Sequence, residues 1–270
     1  MTMPGQMTSV STPKPFFSIV TPSFNQGEFI QDTLQSVVGQ WAELNIQYEV
    51  RDNESTDGTA AVLAEYSDRL RIIRERDDGQ ADAINKSWHA SSGRWLAWLN
   101  ADDLYEPSAL KAVADAAAAN PDARWIVGEF RIIDRVGRPI GRIHSSYKNF
   151  LLRHYSFSLL ASENIIPQMS VFIRRDLWEE AGVLRTDDHL TFDYEYWLRL
   201  GKICNPLVLP QCLSAFRYYR GTKTAENLKV QFRREMEYAR QHAPGLRWPH
   251  YLHQFNYWKT RLLYDLVKRF

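Results

Sequence analysis

Two adjacent carboxylates close an apolar run in WLAWLNADDLYEP (95–107), where the chain reads Asn100-Ala101-Asp102-Asp103. Side by side, Asp102 and Asp103 repel one another unless a cation or hydrogen-bond donors compensate them. Hard oxygen donors of this kind suit Mg²⁺ or Mn²⁺, which usually hold substrate phosphates and keep some water. Paired acids are more often a solvated turn; their place directly after a buried strand is what points to a cation. Another carboxylate, Asp52, ends the run IQYEVRD (46–52) and could accept from the imino and amino groups of a nucleobase. Ser55, Asp57 and Gly58 after it read as turn and capping residues. ERDDGQADAINKS (75–87) sets Gly79, Gln80, Asp82 and Asn85 on or beside a helix start, with Gly79 permitting close backbone approach. VTPSFNQGEFI (20–30) passes from strand to helix and exposes backbone donors to an anion. Taken singly, each segment reads equally well as an ordinary turn or a capped helix.

The elements that must position these residues follow a regular rhythm. Strands are expected over 16–22, 46–52, 70–76 and 94–100, with helices over 28–41, 59–67 and 81–91 between them. Such alternation implies right-handed crossovers and a mainly parallel sheet, which collects ligands at the carboxyl ends of its strands. All four segments fall at such ends. After a helix at 107–119 the pattern changes to a hairpin (125–134 and 140–144), a strand at 168–175 and a helix ending at Gly182. A helix at 194–202, a last strand at 212–219 and a helical, basic, Trp/Tyr-rich tail complete the chain. No internal repeat is present.

With 270 residues, 44% hydrophobic and 24% charged, the chain can bury a sizeable core, and its net charge of +1 argues against a nucleic-acid binder. Cys204 and Cys212 read as two reduced thiols. No run is apolar enough to be a signal peptide or to cross a bilayer, so a cytoplasmic location is expected, with residues 1–15 a disordered leader.

In order, spacing and strand-end placement, the motifs STDGT, DGQADAIN and LNADDLYEP resemble the family-2 glycosyltransferases over roughly residues 16–220. That resemblance implies the GT-A fold, a three-layer αβα sandwich, as a catalytic domain over 16–222 with a C-terminal helical extension over 223–270. It implies transfer of a hexosyl or N-acetylhexosaminyl group, with inversion, from a UDP- or GDP-linked sugar to a glycan or lipid-linked acceptor, in a pathway such as cell-surface polysaccharide synthesis. Thr21, Pro22 and Phe24 would line the nucleotide and Asp52 would read the base. Asp102, with Asp103, would form the Asp-x-Asp metal site for Mn²⁺ or Mg²⁺, with Asn100 where the family's first acid stands. TFDYEYWLRL (191–200) matches the family's acid before a Trp-Leu-Arg helix, making Asp193 the general base in preference to Glu195. Tyr219 stands where relatives carry a His, leaving Lys223 or Arg217 to hold the diphosphate, and Ile84 replaces a frequent Arg. Arg51, before the base-reading acid, breaks an otherwise apolar strand.

Rival readings leave marks of their own. A dehydrogenase needs Gly-x-Gly-x-x-Gly and a nucleotidyltransferase a Gly-rich phosphate loop after the first strand; TPSFNQGEF has neither. An inactive glycosyltransferase-like subunit predicts decay of the acids, yet Asp52, Asp102, Asp103 and Asp193 all stand. The tail at 228–242 and 248–270 mixes Arg and Lys with Trp, Tyr, Phe and Leu, as a helix packing on the domain or making peripheral membrane contact would.

Overall fold

A computed structural model describes residues 14–245 together with 251, 252, 255, 256 and 258. The expected leader thus lies almost entirely outside the described residues, as does most of the segment after 245.

The first half follows the predicted alternation. Strands β1 (Phe17–Ser23), β2 (Ile46–Asp52), β3 (Arg71–Arg74) and β4 (Trp95–Trp98) alternate with helices α1 (Ile30–Val38), α2 (Thr59–Ala64) and α3 (Gln80–His89). These four strands pair in parallel, and the register Ser23↔Asp52 brings the ends of β1 and β2 level. A two-residue strand, β5 (Leu104–Tyr105), and helix α4 (Ala109–Ala119) come next. Then follow β6 (Trp125–Ile133), β7 (Pro139–Ile140), α5 (Arg142–Arg153), α6 (Phe157–Ser162), β8 (Val171–Arg174), α7 (Arg175–Ala181), α8 (Phe192–Ile203), β9 (Leu207–Arg217) and α9 (Lys223–His242). Along the sheet the order is β3-β2-β1-β4-β8-β6-β9-β5, with β7 on β6; β8 is antiparallel to both neighbours and β9 runs parallel to β6.

The expected strand over 140–144 stops at Ile140, because Gly141 at φ +59° turns the chain into α5. The twelve-residue α5 thus begins inside the predicted strand, and α6 follows where the sequence predicts no element. Where β9 shifts register against β6, Gly128 leaves room for Leu213, whose side chain lies 2.3 Å from where a Cβ would stand.

Apolar side chains fill both faces of the sheet. One face packs Leu34, Val37, Leu110 and Val113 of α1 and α4 on Ile19, Val50 and Ala97. The other is dominated by indoles: Trp98 and Trp125 both stack on Trp197 of α8, at 5.4 and 6.3 Å, and Trp88 meets Trp98 edge-on. Such rings bury large areas and stack favourably, so α8 is rigidly seated where it leaves the site. Arg51 also finds its reason: it pairs with Glu49 at 2.7 Å and Glu75 at 2.6 Å, in a network that Arg71 and Ser87 complete through Glu49.

Candidate functional site

Loops at the carboxyl ends of β1 and β2 are knitted together by backbone donors and short polar side chains. Asn25 N donates to Ser55 Oγ, Gln26 N to Thr59 Oγ1 and Gly27 N to Asp57 Oδ2, all within 3.0 Å. The STDGT motif is therefore the clasp on the β1–α1 loop, as its turn chemistry suggested. A Cβ at Gly27 would stand 2.8 Å from Thr59 N, which explains the glycine. The clasp leaves Phe24 57% exposed at the rim of a cavity, free to offer its ring face.

The two neighbouring aspartates have opposite surroundings. Asp103 is wholly buried: Arg217 N donates to its Oδ1 at 2.9 Å, Asn100 Nδ2 to its Oδ2 at 3.1 Å and Thr33 Oγ1 to its carbonyl at 2.8 Å. It ties the end of β4 to β9 and α1. Burial, and next the charge of Asp102, push its carboxyl well above the ordinary range. Asp103 therefore does not fit the expected metal ligand; both its oxygens are spent inside the protein. Asp102 instead lines the cavity and accepts from Tyr219 Oη at 3.1 Å, its carboxyl raised by burial. Arg217 does not hold a diphosphate. It is 2% exposed, donates to the carbonyls of Asp102 and Arg135 and to Asp32, and lies over the Phe29 ring.

Two cavities adjoin at these strand ends. The first, about 360 Å³, is lined by Pro22, Phe24, Gly79, Gln80, Asn100 and Asp102, all expected at the donor site, with Ser23, Asn53, Asp77 and Tyr219 among the others. The second, about 250 Å³, holds Asp193 in a wall of mixed character, with Phe130, Phe192 and Phe232 beside His144, Lys148 and Glu163. Gln80, Asn100, Phe216 and Lys223 line both and form the neck between them. Across it, Gln80 Nε2 donates to Asn100 Oδ1 at 2.5 Å and Lys223 Nζ donates to Gln80 Oε1 at 3.2 Å. Gln168 fixes the amide of Asn100 by accepting from its Nδ2 at 3.0 Å while donating to the Trp98 carbonyl.

Asp193 sits in the first turn of α8, and its Oδ1 accepts from Tyr194 N at 2.8 Å. Burial pushes its carboxyl up to about 7, with smaller contributions from the charges of Glu235 and Asp188. A carboxyl poised near neutrality is suited to proton transfer. Its competitor Glu195 points elsewhere, 3% exposed and paired with Arg199 and His242.

Three expected donor residues do not reach the cavity. Thr21 is buried against Tyr48 Oη at 2.8 Å. Asp52 is fully buried, taking Ser55 N and Oγ and Arg74 Nε, so it braces the clasp and does not face a base. Asp82 accepts from Asp78 N and pairs with Lys86 on the helix surface. Asn85 grips Leu184 N and carbonyl. Sequence reasoning missed Asn53 and Asp77 in the first cavity, although both adjoin motifs it singled out. It also missed nearly all of the second cavity: His144 and Lys148 of α5, Glu163 after α6, His189 and Glu235. No motif marks these positions.

The family described as "Glycosyl transferase family 2" matches residues 18–180. The chain is 26% identical over 224 residues to the putative teichuronic acid biosynthesis glycosyltransferase TuaG of Bacillus subtilis (strain 168), covering 80% of this chain and 84% of that protein. It is 27% identical over 242 residues to the uncharacterized protein MT1568 of Mycobacterium tuberculosis (strain CDC 1551 / Oshkosh), covering 81% of this chain and 72% of that one. Among solved structures, S. aureus TarS 1-349 in complex with UDP superposes with a TM-score of 0.63 at 15% identity over 84% of this chain, which spans only 64% of the TarS chain. The mannosyltransferase PcManGT of Pyrobaculum calidifontis, in complex with GDP-Man and Mn²⁺, superposes with a TM-score of 0.62 at 15% identity, covering 93% of this chain and 76% of that one.

Proposed function

From the premise that the chain belongs to glycosyl transferase family 2 and has the GT-A fold, we propose that it moves a hexosyl or N-acetylhexosaminyl group from a UDP- or GDP-linked donor to an acceptor hydroxyl, with inversion. One observation carries this reading. Asp102 and Asp193 line adjoining cavities that share a four-residue neck, so a donor and an acceptor can meet there.

The larger cavity takes the nucleotide diphosphate. Phe24 offers an aromatic face, Gly79 at φ +106° brings backbone close, and Lys223 at the neck presents a cation to the diphosphate. The chain's own donors fit a divalent ion of modest demand. Among the described residues no three acids, histidines or cysteines form a cage, and Mg²⁺ or Mn²⁺ is commonly held by one or two carboxylates plus substrate phosphates. Asp102 would hold it; Asp103 would not. When bound, such an ion stabilises charge on the departing nucleoside diphosphate. Asp193 takes the acceptor's proton as its oxygen bonds the anomeric carbon and the bond to the diphosphate oxygen breaks. A base opposite the leaving group gives inversion. The ligands of PcManGT and TarS support a nucleotide-sugar donor.

The acceptor we propose is a glycan or lipid-linked glycan of a cell-surface polysaccharide pathway, which the similarity to TuaG supports. The catalytic unit extends past 222, since α9 supplies Lys223 and Glu235 to the cavities. No helix among the described residues is long and apolar enough to cross a membrane. Peripheral contact through the C-terminal segment is supported by Tyr251, Leu252, Phe255 and Trp258, 45–72% exposed, while Asn256 turns inward to the Ser162 carbonyl. Slow hydrolysis across a panel of UDP- and GDP-sugars with Mn²⁺ tests the activity. No hydrolysis of any member, with no binding of UDP or GDP, refutes it.

A further inference from the structure

Tyr219 lines the donor cavity beside Asp102, and the transfer described above gives it no task. Its phenol donates to Asp102 Oδ2 at 3.1 Å, a contact between residues 117 positions apart. The fold fixes both ends of this contact. Arg217, the last residue of β9, donates Nε to the Asp102 carbonyl and its backbone N to Asp103 Oδ1, both at 2.9 Å. The main chain at Asp102 is therefore held from the strand that leads to Tyr219. Tyr219 itself opens a tight turn, its carbonyl accepting from Thr222 N at 3.3 Å and Thr222 Oγ1 at 3.1 Å, with Gly221 at φ +103°. The next residue is Lys223, so one turn delivers the phenol to Asp102 and the ammonium to the neck.

The ring is clamped as well. Phe29 packs on it with 4.8 Å between ring centroids, and the Arg135 guanidinium lies 5.9 Å from the centroids of both rings. Arg135 also pairs with Glu28. Glu28 and Phe29 belong to the β1–α1 loop, whose Gln26 N and Gly27 N are gripped by Thr59 and Asp57 of the STDGT clasp. The clasp thus reaches Asp102 through Phe29 and Tyr219, segments that are distant in sequence. A ring held by an aromatic neighbour and a cation keeps its hydroxyl in place.

We infer that Tyr219 is a positioning residue for the divalent ion of the donor site: by holding Oδ2 of Asp102 it presents Oδ1 to the cavity, so that affinity for the ion depends on the phenol while affinity for the bare nucleotide does not. This role rests on the glycosyltransfer reading above, in which Asp102 holds the ion. Its physical ground is that Asp102 is the acid left to do so. Asp103 is spent on Arg217 N and Asn100 Nδ2, and among the described residues no three acids, histidines or cysteines form a cage. Where several carboxylates share an ion, the others offset one that is misaligned; a lone carboxylate has only its own orientation. The phenol suits the task because it donates one hydrogen bond and, unlike a lysine, adds no positive charge beside the ion. Partners that orient a metal ligand in this way typically account for about ten- to a hundredfold in metal affinity.

The test uses the full chain and follows free Mn²⁺ by its electron paramagnetic resonance signal during titration with UDP or GDP saturating. Metal-free UDP or GDP affinity is measured beside it by calorimetry, and far-UV circular dichroism reports the fold. Tyr219→Phe keeps the ring on Phe29 and Arg135 and removes only the hydroxyl. It should weaken Mn²⁺ binding by about ten- to a hundredfold and leave metal-free nucleotide affinity unchanged. Unchanged Mn²⁺ affinity in this variant would overturn the inference. So would an equal loss of Mn²⁺ and metal-free nucleotide affinity, the mark of a phenol that only supports the fold. Loss of Mn²⁺ binding beyond detection, as expected for Asp102→Ala, would overturn it too, because the phenol oxygen would then be a ligand itself. A wild type that binds UDP or GDP without binding Mn²⁺ sinks the reading of Asp102, and the role of Tyr219 with it. A wild type that binds neither nucleotide sinks the glycosyltransfer reading as a whole.

Discussion

The raised carboxyl of Asp193 carries a consequence that activity and stability should report with opposite signs. Its value of about 7 lies roughly three units above the ordinary 3.8. The folded state therefore binds this proton more tightly than the unfolded chain between about pH 4 and pH 7. Stability falls as pH rises through that window, and the full penalty is present above it. At 1.36 kcal/mol per unit, the penalty above pH 7 is of order 4 kcal/mol. Asp193→Asn removes the titration while keeping the shape. The variant should match the wild type near pH 4 and exceed it by about 2–4 kcal/mol at pH 8, read as a higher Tm by about 2 °C or more per kcal/mol. Turnover should fall by a factor of about 10² to 10⁴, the usual worth of a positioned base. Wild-type kcat/KM should rise with pH through a midpoint near 7 and level off about one pH unit higher, because only the ionised form accepts the proton. Urea or thermal unfolding at pH 4, 6 and 8, beside initial rates over the same range, measures both. A stability gain equal at pH 4 and pH 8, or transfer near the wild-type rate, would refute the reasoning.

The paired aspartates should separate cleanly. Asp102→Ala is expected to abolish Mn²⁺-dependent donor binding with little change in Tm. Asp103→Ala strands Arg217 N and Asn100 Nδ2 in the interior and should cost about 3 kcal/mol, seen by denaturant unfolding. Lys223→Ala should raise the donor KM about tenfold, the lower end for a lost hydrogen bond to a charged group, with a smaller effect on acceptor KM in steady-state kinetics. Phe255→Glu with Trp258→Glu should reduce co-sedimentation with anionic phosphatidylglycerol vesicles while leaving transfer to a water-soluble acceptor unchanged.

How much was legible differs between the halves of the molecule. β1 to β4 alternate with helices long and periodic enough to be read directly, and β2 ends at Asp52 as predicted. The segment from Gly141 to Ser162 was not: IGRIH (140–144) reads as the second strand of a hairpin, whereas α5 begins at Arg142, and α6 is only six residues long. Their residues wall the smaller cavity, so that cavity was invisible. Charge identity alone also misled at Asp52 and Asp103, because a carboxylate at a strand end can equally brace a loop or face a ligand.

The order of strands and helices, and the presence of an acid at each critical turn, are properties of the chain read locally: hydrophobic period and turn chemistry need only near neighbours. Which acid faces solvent is a different matter. Asp102 and Asp103 are adjacent in sequence, yet one lines a cavity and the other vanishes beneath Arg217, a residue more than a hundred positions away. Burial, and with it protonation, depends on partners that only long-range packing supplies, so the tertiary structure alone decided which carboxylates are free to act.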